Sequence, residues 1–148
     1  MMKTAFRNLL LLALAFCMAG CSATKCHCRA YQKKYRRPLT GTVWQLVQLH
    51  GRSVRPEAGT YTLTFSADDG RIGGIAACNR LTGTFETDKT WALTFGPLAT
   101  TRMACPDAGQ EQAFLEVLAS TTHYDMDGPI LILLSNGEMR ALFQAMPE

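Results

Sequence analysis

The strongest constraint on the fold is a period-two alternation of apolar and polar residues between closely spaced turns. In residues 60–65 three apolar side chains alternate with three threonines, and residues 91–95 repeat the pattern. Such alternation is typical of strands that bury one face of an antiparallel sheet. The Asp-Gly pair at 69–70 and the Asn-Gly pair at 136–137 are tight-hairpin signals between runs of this kind. The sequence therefore predicts a series of hairpins.

Strands dominate the prediction, with one helix among them. Seven runs are predicted as strands: 42–49, 60–65, 71–77, 81–87, 91–95, 130–134 and 138–143. Between the fifth and the sixth run, Asp107 is the predicted N-cap of a helix that continues to about Ser120, with Gln110 reaching back to complete a capping box. Seven or eight strands and one helix predict a mainly β (α+β) domain, a curled antiparallel sheet or small barrel with the helix packed on it.

The predicted helix is amphipathic. Phe114, Val117 and Leu118 fall at i, i+3 and i+4 and form an apolar stripe for the sheet. Glu111 and Glu116 are expected to face water, with Glu111 also complementing the positive end of the helix dipole.

The N-terminal 20 residues have the organisation of a signal peptide. Lys3 and Arg7 precede an apolar stretch that is too short to span a bilayer, and small residues follow it. Met18-Ala19-Gly20-Cys21 resembles the bacterial lipobox, which implies acylation of Cys21 and anchoring in membrane lipid. Because Ser22 follows the cysteine instead of Asp, the periplasmic face of the outer membrane is expected in preference to the inner membrane. The alternative is an ordinary secretory signal.

Charge divides the remaining chain into two parts. Residues 21–38, the predicted flexible tether, carry six basic residues and no acidic one. Residues 39–148, the predicted domain, carry seven basic residues and all twelve acids. Nucleic-acid binding is disfavoured because the domain lacks the basic surface that phosphate contacts require. The tether is expected either to act as a solvated spacer or to contact anionic lipid.

The cysteines outside the leader and the lipobox form two pairs. Cys78 and Cys105 both lie in the domain, and outside the cytosol we expect them to form a disulfide worth about 3–4 kcal/mol in the chain-entropy estimate. The alternative is that Cys78 is a catalytic thiol. Cys26, His27 and Cys28 are weak metal-ligand candidates, too few for a closed site, and a local or intermolecular disulfide is the alternative. No metal or cofactor is predicted.

Several motifs occur in one order along residues 39–148. They are Leu39-Thr40-Gly41-Thr42-Val43-Trp44, Gly73-Gly74, Cys78-Asn79-Arg80 with Gly83, Thr101-Arg102-Met103-Ala104-Cys105, and then Glu111, Phe114 and Leu118. This set resembles the META domain, the HslJ-like family of bacterial envelope proteins. The resemblance implies a compact antiparallel β architecture with a helix, and no established catalytic residues. Family members are linked to heat stress, antibiotic resistance or virulence without a common chemistry.

Structural roles account for the motif residues. Trp44 is expected to anchor the core, Met103 to fill irregular core space, and Asn79 to adopt a left-handed turn that bonds its own backbone. Three glycines are expected to permit a bulge or sharp bend: Gly73, Gly74 and Gly83. Six aromatic residues are expected to point inward: Trp44, Tyr61, Phe65, Phe85, Trp91 and Phe143.

These observations favour a monomeric, non-enzymatic envelope lipoprotein that is stress-related or binds an envelope protein. A small barrel that holds an apolar ligand or lipid is the alternative, although the large inward side chains argue for a filled interior. A hydrolase would have to use His50, His123, Asp125 or Asp127, which form no recognised catalytic motif and are interpreted as loop residues in water.

Overall fold

Ten antiparallel strands form a nearly closed barrel in the computed structural model, which describes residues 30–147. The strands are β1 (Val43–Leu49), β2 (Arg52–Ser53), β3 (Thr62–Phe65), β4 (Arg71–Ile75), β5 (Arg80–Thr87), β6 (Leu93–Phe95), β7 (Ala99–Thr100), β8 (His123–Asp127), β9 (Ile130–Ser135) and β10 (Glu138–Ala145). All seven predicted runs contain a strand, so the predicted class is confirmed. The three additional strands are β2, β7 and β8.

The sheet returns almost to its starting edge. Its strand order is β6-β5-β4-β3-β1-β10-β9-β8, with β2 paired to β1 and β7 paired to β5. Beside β6, Ala92 forms an antiparallel bridge with His123 of β8, and the Tyr124 amide donates to the Trp91 carbonyl at 3.0 Å. These contacts join the two outermost strands of the order.

Two helical segments are present among the described residues. Residues 30–35, within the predicted flexible tether, are helical and are labelled α1. A separate compact unit begins at Arg36 and contains the barrel. Its helix, α2 (Ala108–Ser120), follows the N-cap residue Asp107, as predicted. The predicted capping box is wrong, because the Asp107 side chain makes no capping hydrogen bond.

The turn chemistry agrees with the sequence prediction. Asn136 and Gly137 have φ values of 51° and 83°, the left-handed pair that a two-residue hairpin between β9 and β10 requires. Gly70 between β3 and β4 has φ of 63°. These turns set the register of their hairpins from local residues alone.

Close packing, rather than bulging, explains two of the motif glycines. A Cβ atom on Gly74 would overlap the Thr62 carbonyl oxygen, and one on Gly83 would lie 2.7 Å from Leu98 Cδ2. The pairing of β4 with β3 and β5 is uninterrupted, so the bulge, one of the two roles predicted for these glycines, is wrong. The register shifts instead lie in β1 and β10. Gly73 meets only one atom, at an ordinary contact distance of 3.9 Å.

Aromatic and branched side chains fill the barrel. Trp44, Phe65, Phe114 and Phe143 are fully buried, and Trp44 Nε1 donates to the Leu39 carbonyl at 2.9 Å. The stripe of α2 packs into this core, with the Phe114 ring 5.5 Å from Tyr61 and 6.2 Å from Phe143. The core prediction is therefore confirmed for most of its members.

Two predicted core residues lie at the surface. Trp91 is 43% exposed and Met103 is 56% exposed. Trp91 has a φ of 65° and its ring contacts Tyr124. Its side chain therefore does not share the inward face that the alternation of residues 91–95 predicted. Met103 contributes through its backbone, because its amide and carbonyl are both bonded by the Asn79 side chain.

Candidate functional site

One polar network joins the loops at the N-terminus of α2. Its centre is Asn79, which is 4% exposed. The Asn79 Oδ1 atom accepts hydrogen bonds from the Met103 amide at 2.8 Å and the Thr101 hydroxyl at 3.0 Å. Its Nδ2 atom donates to Glu111 Oε1 at 2.8 Å and to Cys105 Sγ at 3.2 Å. A single carboxamide thus orders residues 101–105 against the barrel, and the predicted left-handed turn at Asn79 is wrong, since its φ is not positive.

Glu111 is the second centre of the network. The prediction that it faces water is wrong, because the residue is 9% exposed. Glu111 Oε2 accepts a hydrogen bond from the Ala77 amide at 3.1 Å, while Oε1 accepts from Asn79. These bonds satisfy a carboxylate that would otherwise be costly to bury. Glu116, one and a half turns further along α2, is exposed as predicted.

Cys78 and Cys105 lie at bonding distance, with their Cα atoms 5.9 Å apart, in the usual range for a disulfide. This distance agrees with the predicted pairing. Glu111 Oε2 lies 3.5 Å from Cys105 Sγ, so the sulfur pair and the carboxylate belong to one cluster.

The remaining motif residues take part mainly through their backbones. The Arg80 amide donates to the Thr101 hydroxyl at 3.0 Å, and the Thr101 amide returns a bond to the Arg80 carbonyl at 3.1 Å. The Arg80 side chain itself is exposed. The motif Thr101-Arg102-Met103-Ala104-Cys105 is therefore a strap that lies along the start of β5.

A cleft of about 330 Å³ opens beside the disulfide. Its walls come from the loop before β3, the segment after β4 and the start of α2. The lining residues are Arg55, Pro56, Glu57, Thr60, Tyr61, Ala77, Cys78, Cys105, Pro106, Asp107 and Gln110. Tyr61 lies in this wall, is 3% exposed and has a φ of 50°. Among residues 30–147, no group reaches hydrogen-bond geometry with its buried hydroxyl.

The environment of Tyr61 disfavours the phenolate. Burial raises the pKa of Tyr61, and the negative charges of Asp107 and Glu111 raise that pKa further. The side chain of Gln110, close to the hydroxyl although outside hydrogen-bond geometry, lowers the pKa in opposition. The Tyr61 hydroxyl therefore stays protonated at neutral pH, close to the acidic side chains of Asp107 and Glu111.

The candidate hydrolase residues lie in a turn and in a strand. His50 lies in the turn after β1, with φ of 48°. His123, Asp125 and Asp127 alternate along β8 and are exposed. They are strand residues, so the interpretation of this segment as a loop is wrong. His123 contributes to a lowered pKa at Asp88, behind the hydrogen bonds from Thr90 that are its main cause.

Other sequence predictions fall partly or wholly outside the described residues. The leader, Cys21 and the candidate ligands Cys26, His27 and Cys28 precede residue 30. Within residues 30–147, no group of three or more His, Cys, Asp or Glu side chains is arranged to hold a metal ion. In that same range, neither helix has the length and apolar character needed to cross a membrane.

The chain is similar to known proteins along the whole barrel. The sequence model of the META domain family matches residues 37–147. An NMR structure of a protein from Burkholderia xenovorans has a TM-score of 0.57 and 28% identity, covering 74% of this chain and 85% of that one. A crystal structure of a DUF4847 family protein from Bacteroides vulgatus, at 18% identity and a TM-score of 0.54, covers 72% of this chain and 93% of its own, and shows the shared fold alone. No curated protein sequence matches this chain.

Proposed function

This chain belongs to the META domain family, and we propose that it is a lipid-anchored, non-catalytic protein of the bacterial envelope whose barrel binds a partner protein. The observation that carries the proposal is the lipobox-like sequence Met18-Ala19-Gly20-Cys21 after a charged and apolar leader. Two or more acyl chains on Cys21 would hold the protein at the membrane, because each buried methylene contributes about 0.8 kcal/mol.

The packing of the barrel favours binding at its outer surface rather than binding of a ligand in its interior. Trp44, Phe65, Phe114 and Phe143 occupy the interior and are fully buried. An apolar ligand in the manner of lipid-binding barrels would have to displace such side chains, and removing one large core side chain costs about 3–5 kcal/mol. The outer surface and the cleft beside the disulfide are open to a partner without that cost.

Intact mass spectrometry of the protein tests the anchor. The full chain is produced in a bacterial host with its own leader and extracted from the membrane fraction. We expect a mass that lacks residues 1–20 and carries acyl chains on Cys21. Cys21→Ser is the matched control. This variant should carry no acyl chains and should be absent from the membrane fraction. An unmodified wild-type chain in the soluble fraction would contradict the proposal.

Cross-linking in intact cells tests the partner. The wild-type lipoprotein is cross-linked in its own envelope and recovered, and the captured proteins are identified by peptide mass spectrometry. We expect a reproducible partner attached to residues of the barrel unit. If cross-links form to lipid alone, the partner half of the proposal is wrong.

A further inference from the structure

The cleft beside Cys78–Cys105 combines an unused hydroxyl with unpaired carboxylates. Resting on the partner-binding function proposed above, we infer that this cleft receives a cationic side chain, lysine or arginine, from the partner protein. Tyr61 and Asp107 would contact the cationic group, and Glu57 would face it across the cleft.

Tyr61 combines two unfavourable features at one position. Its φ of 50° places a bulky residue in the left-handed region, and its 3% exposed side chain leaves the hydroxyl without a partner among the described residues. Local strain and unsatisfied buried polar atoms are uncommon in native proteins, and strained positions cluster at functional sites. A ligand that bonds the Tyr61 oxygen would remove the second of these costs.

The charges around the cleft favour a cation. Glu57 and Asp107 line it, and neither belongs to the ion pairs found among residues 30–147, Arg71–Asp69 and Arg140–Glu138. Asp107 does not cap α2, so its carboxylate is available. Two positive charges oppose the binding of a cation. One is Arg55 in the cleft wall, and the other is the N-terminus of α2, which contributes roughly half a positive charge.

The buried carboxylate of Glu111 makes the sum of the charges around the cleft negative. Its hydrogen-bond donors are a backbone amide and a carboxamide, neither of which carries positive charge. Three carboxylates therefore outweigh one guanidinium and one helix end. The domain as a whole has twelve acids against seven basic residues from Leu39 onward, and this field attracts a basic segment from a distance.

The volume of the cleft fits this occupant. At about 330 Å³ it lies at the lower limit of ligand pockets, which suits one long side chain better than a larger molecule. Pro56, Pro106 and the disulfide provide apolar walls for the methylene stem of lysine or arginine.

A peptide titration tests the inference on the full chain in detergent micelles. The probes are N-acetylated, C-amidated Gly-Lys-Gly and Gly-Glu-Gly, followed by NMR shifts of the Asp107 and Gln110 amides. We expect the lysine peptide to shift these amides and the glutamate peptide to leave them in place. Tyr61→Phe, which removes the unpartnered oxygen alone, should weaken binding about fivefold, about 1 kcal/mol. Asp107→Asn should weaken it by a similar factor.

The matched control is Glu86→Gln, which removes one exposed acid on β5 outside the cleft and should change affinity less than about twofold. Equal binding of both peptides, or unchanged lysine binding in both cleft variants, would overturn the inference.

The cross-linking experiment separates the two proposals. A partner captured equally well by wild type and Tyr61→Phe overturns the cleft inference alone. If no partner is captured, the partner function is overturned together with the partner as the source of the cation, and the peptide titration then shows separately whether the cleft binds a cation.

Discussion

The apolar interior of the barrel and the polar network around Asn79 stabilise the fold by different means. Trp44 and its neighbours are held by packing, whereas Asn79 and Glu111 are held by hydrogen bonds to residues 22 to 34 positions away. The interior follows from apolar patterns within single strands and within α2. The network depends on partners that only the finished fold brings together. This domain therefore has a locally encoded core and a polar network around Asn79 that is organised by long-range contacts.

The largest expected effect concerns the interior. Trp44→Ala should lower the free energy of unfolding by about 3–5 kcal/mol, because it removes a fully buried indole and leaves a cavity. Urea denaturation followed by circular dichroism measures the change. Trp91→Ala, the same substitution at a 43% exposed position, should cost at most about 1 kcal/mol. Equal losses at the two positions would contradict the core assignment.

An intermediate effect concerns the network. Glu111→Ala should cost about 2–4 kcal/mol in urea denaturation, since it leaves the Ala77 amide and one Asn79 bond without an acceptor. Glu116→Ala on the same helix removes one exposed i,i+4 bond from Gln112 and should stay within about 0.5 kcal/mol. Similar values for the two glutamates would show that Glu111 is solvated, and the contrast between the regions would fail.

The smallest effect should have the opposite sign. Tyr61→Phe should leave stability unchanged or raise it by up to about 1 kcal/mol at neutral pH, because the hydroxyl has no partner among the described residues. Since the folded-state pKa of Tyr61 is raised, its contribution is complete below the unfolded-state pKa and is lost as the pH rises from there through the folded-state pKa.

Alkaline denaturation curves of the two proteins check this sign. The wild type should lose more stability than Tyr61→Phe above the ordinary tyrosine pKa, and the two should run parallel near neutrality. A destabilised Tyr61→Phe variant at neutral pH would mean that the hydroxyl is satisfied in solution.

Much of the barrel could be predicted because its signals are local. Alternation predicted two of the strands, apolar and β-branched runs between turn signals predicted five more, and the Asn-Gly and Asp-Gly pairs located two hairpins. The strand β8 was missed although its residues alternate between exposed and partly buried side chains, because its exposed positions are His and Asp rather than threonine. The strands β2 and β7 have two residues each, which is too short for any period.

The site could be predicted only in part. The pairing of Cys78 with Cys105 followed from the domain organisation, and the structure places the two at disulfide distance. The role of Glu111 could not be derived, because an acid in the first turn of a helix is ordinarily solvated and its partners lie 32 and 34 residues earlier. Tyr61 was correctly predicted to point inward, but nothing local indicates that its hydroxyl lacks a partner.

Amide hydrogen exchange at Ala77 tests most directly whether the buried Glu111 carboxylate organises the polar network around Asn79. Ala77 lies beyond the end of β4, and its amide is bonded by Glu111 Oε2. We predict exchange as slow as that of the strand amides in the wild type, and fast exchange in Glu111→Ala while the Leu46 amide in β1 stays protected. Fast exchange at Ala77 in the wild-type protein would contradict the account.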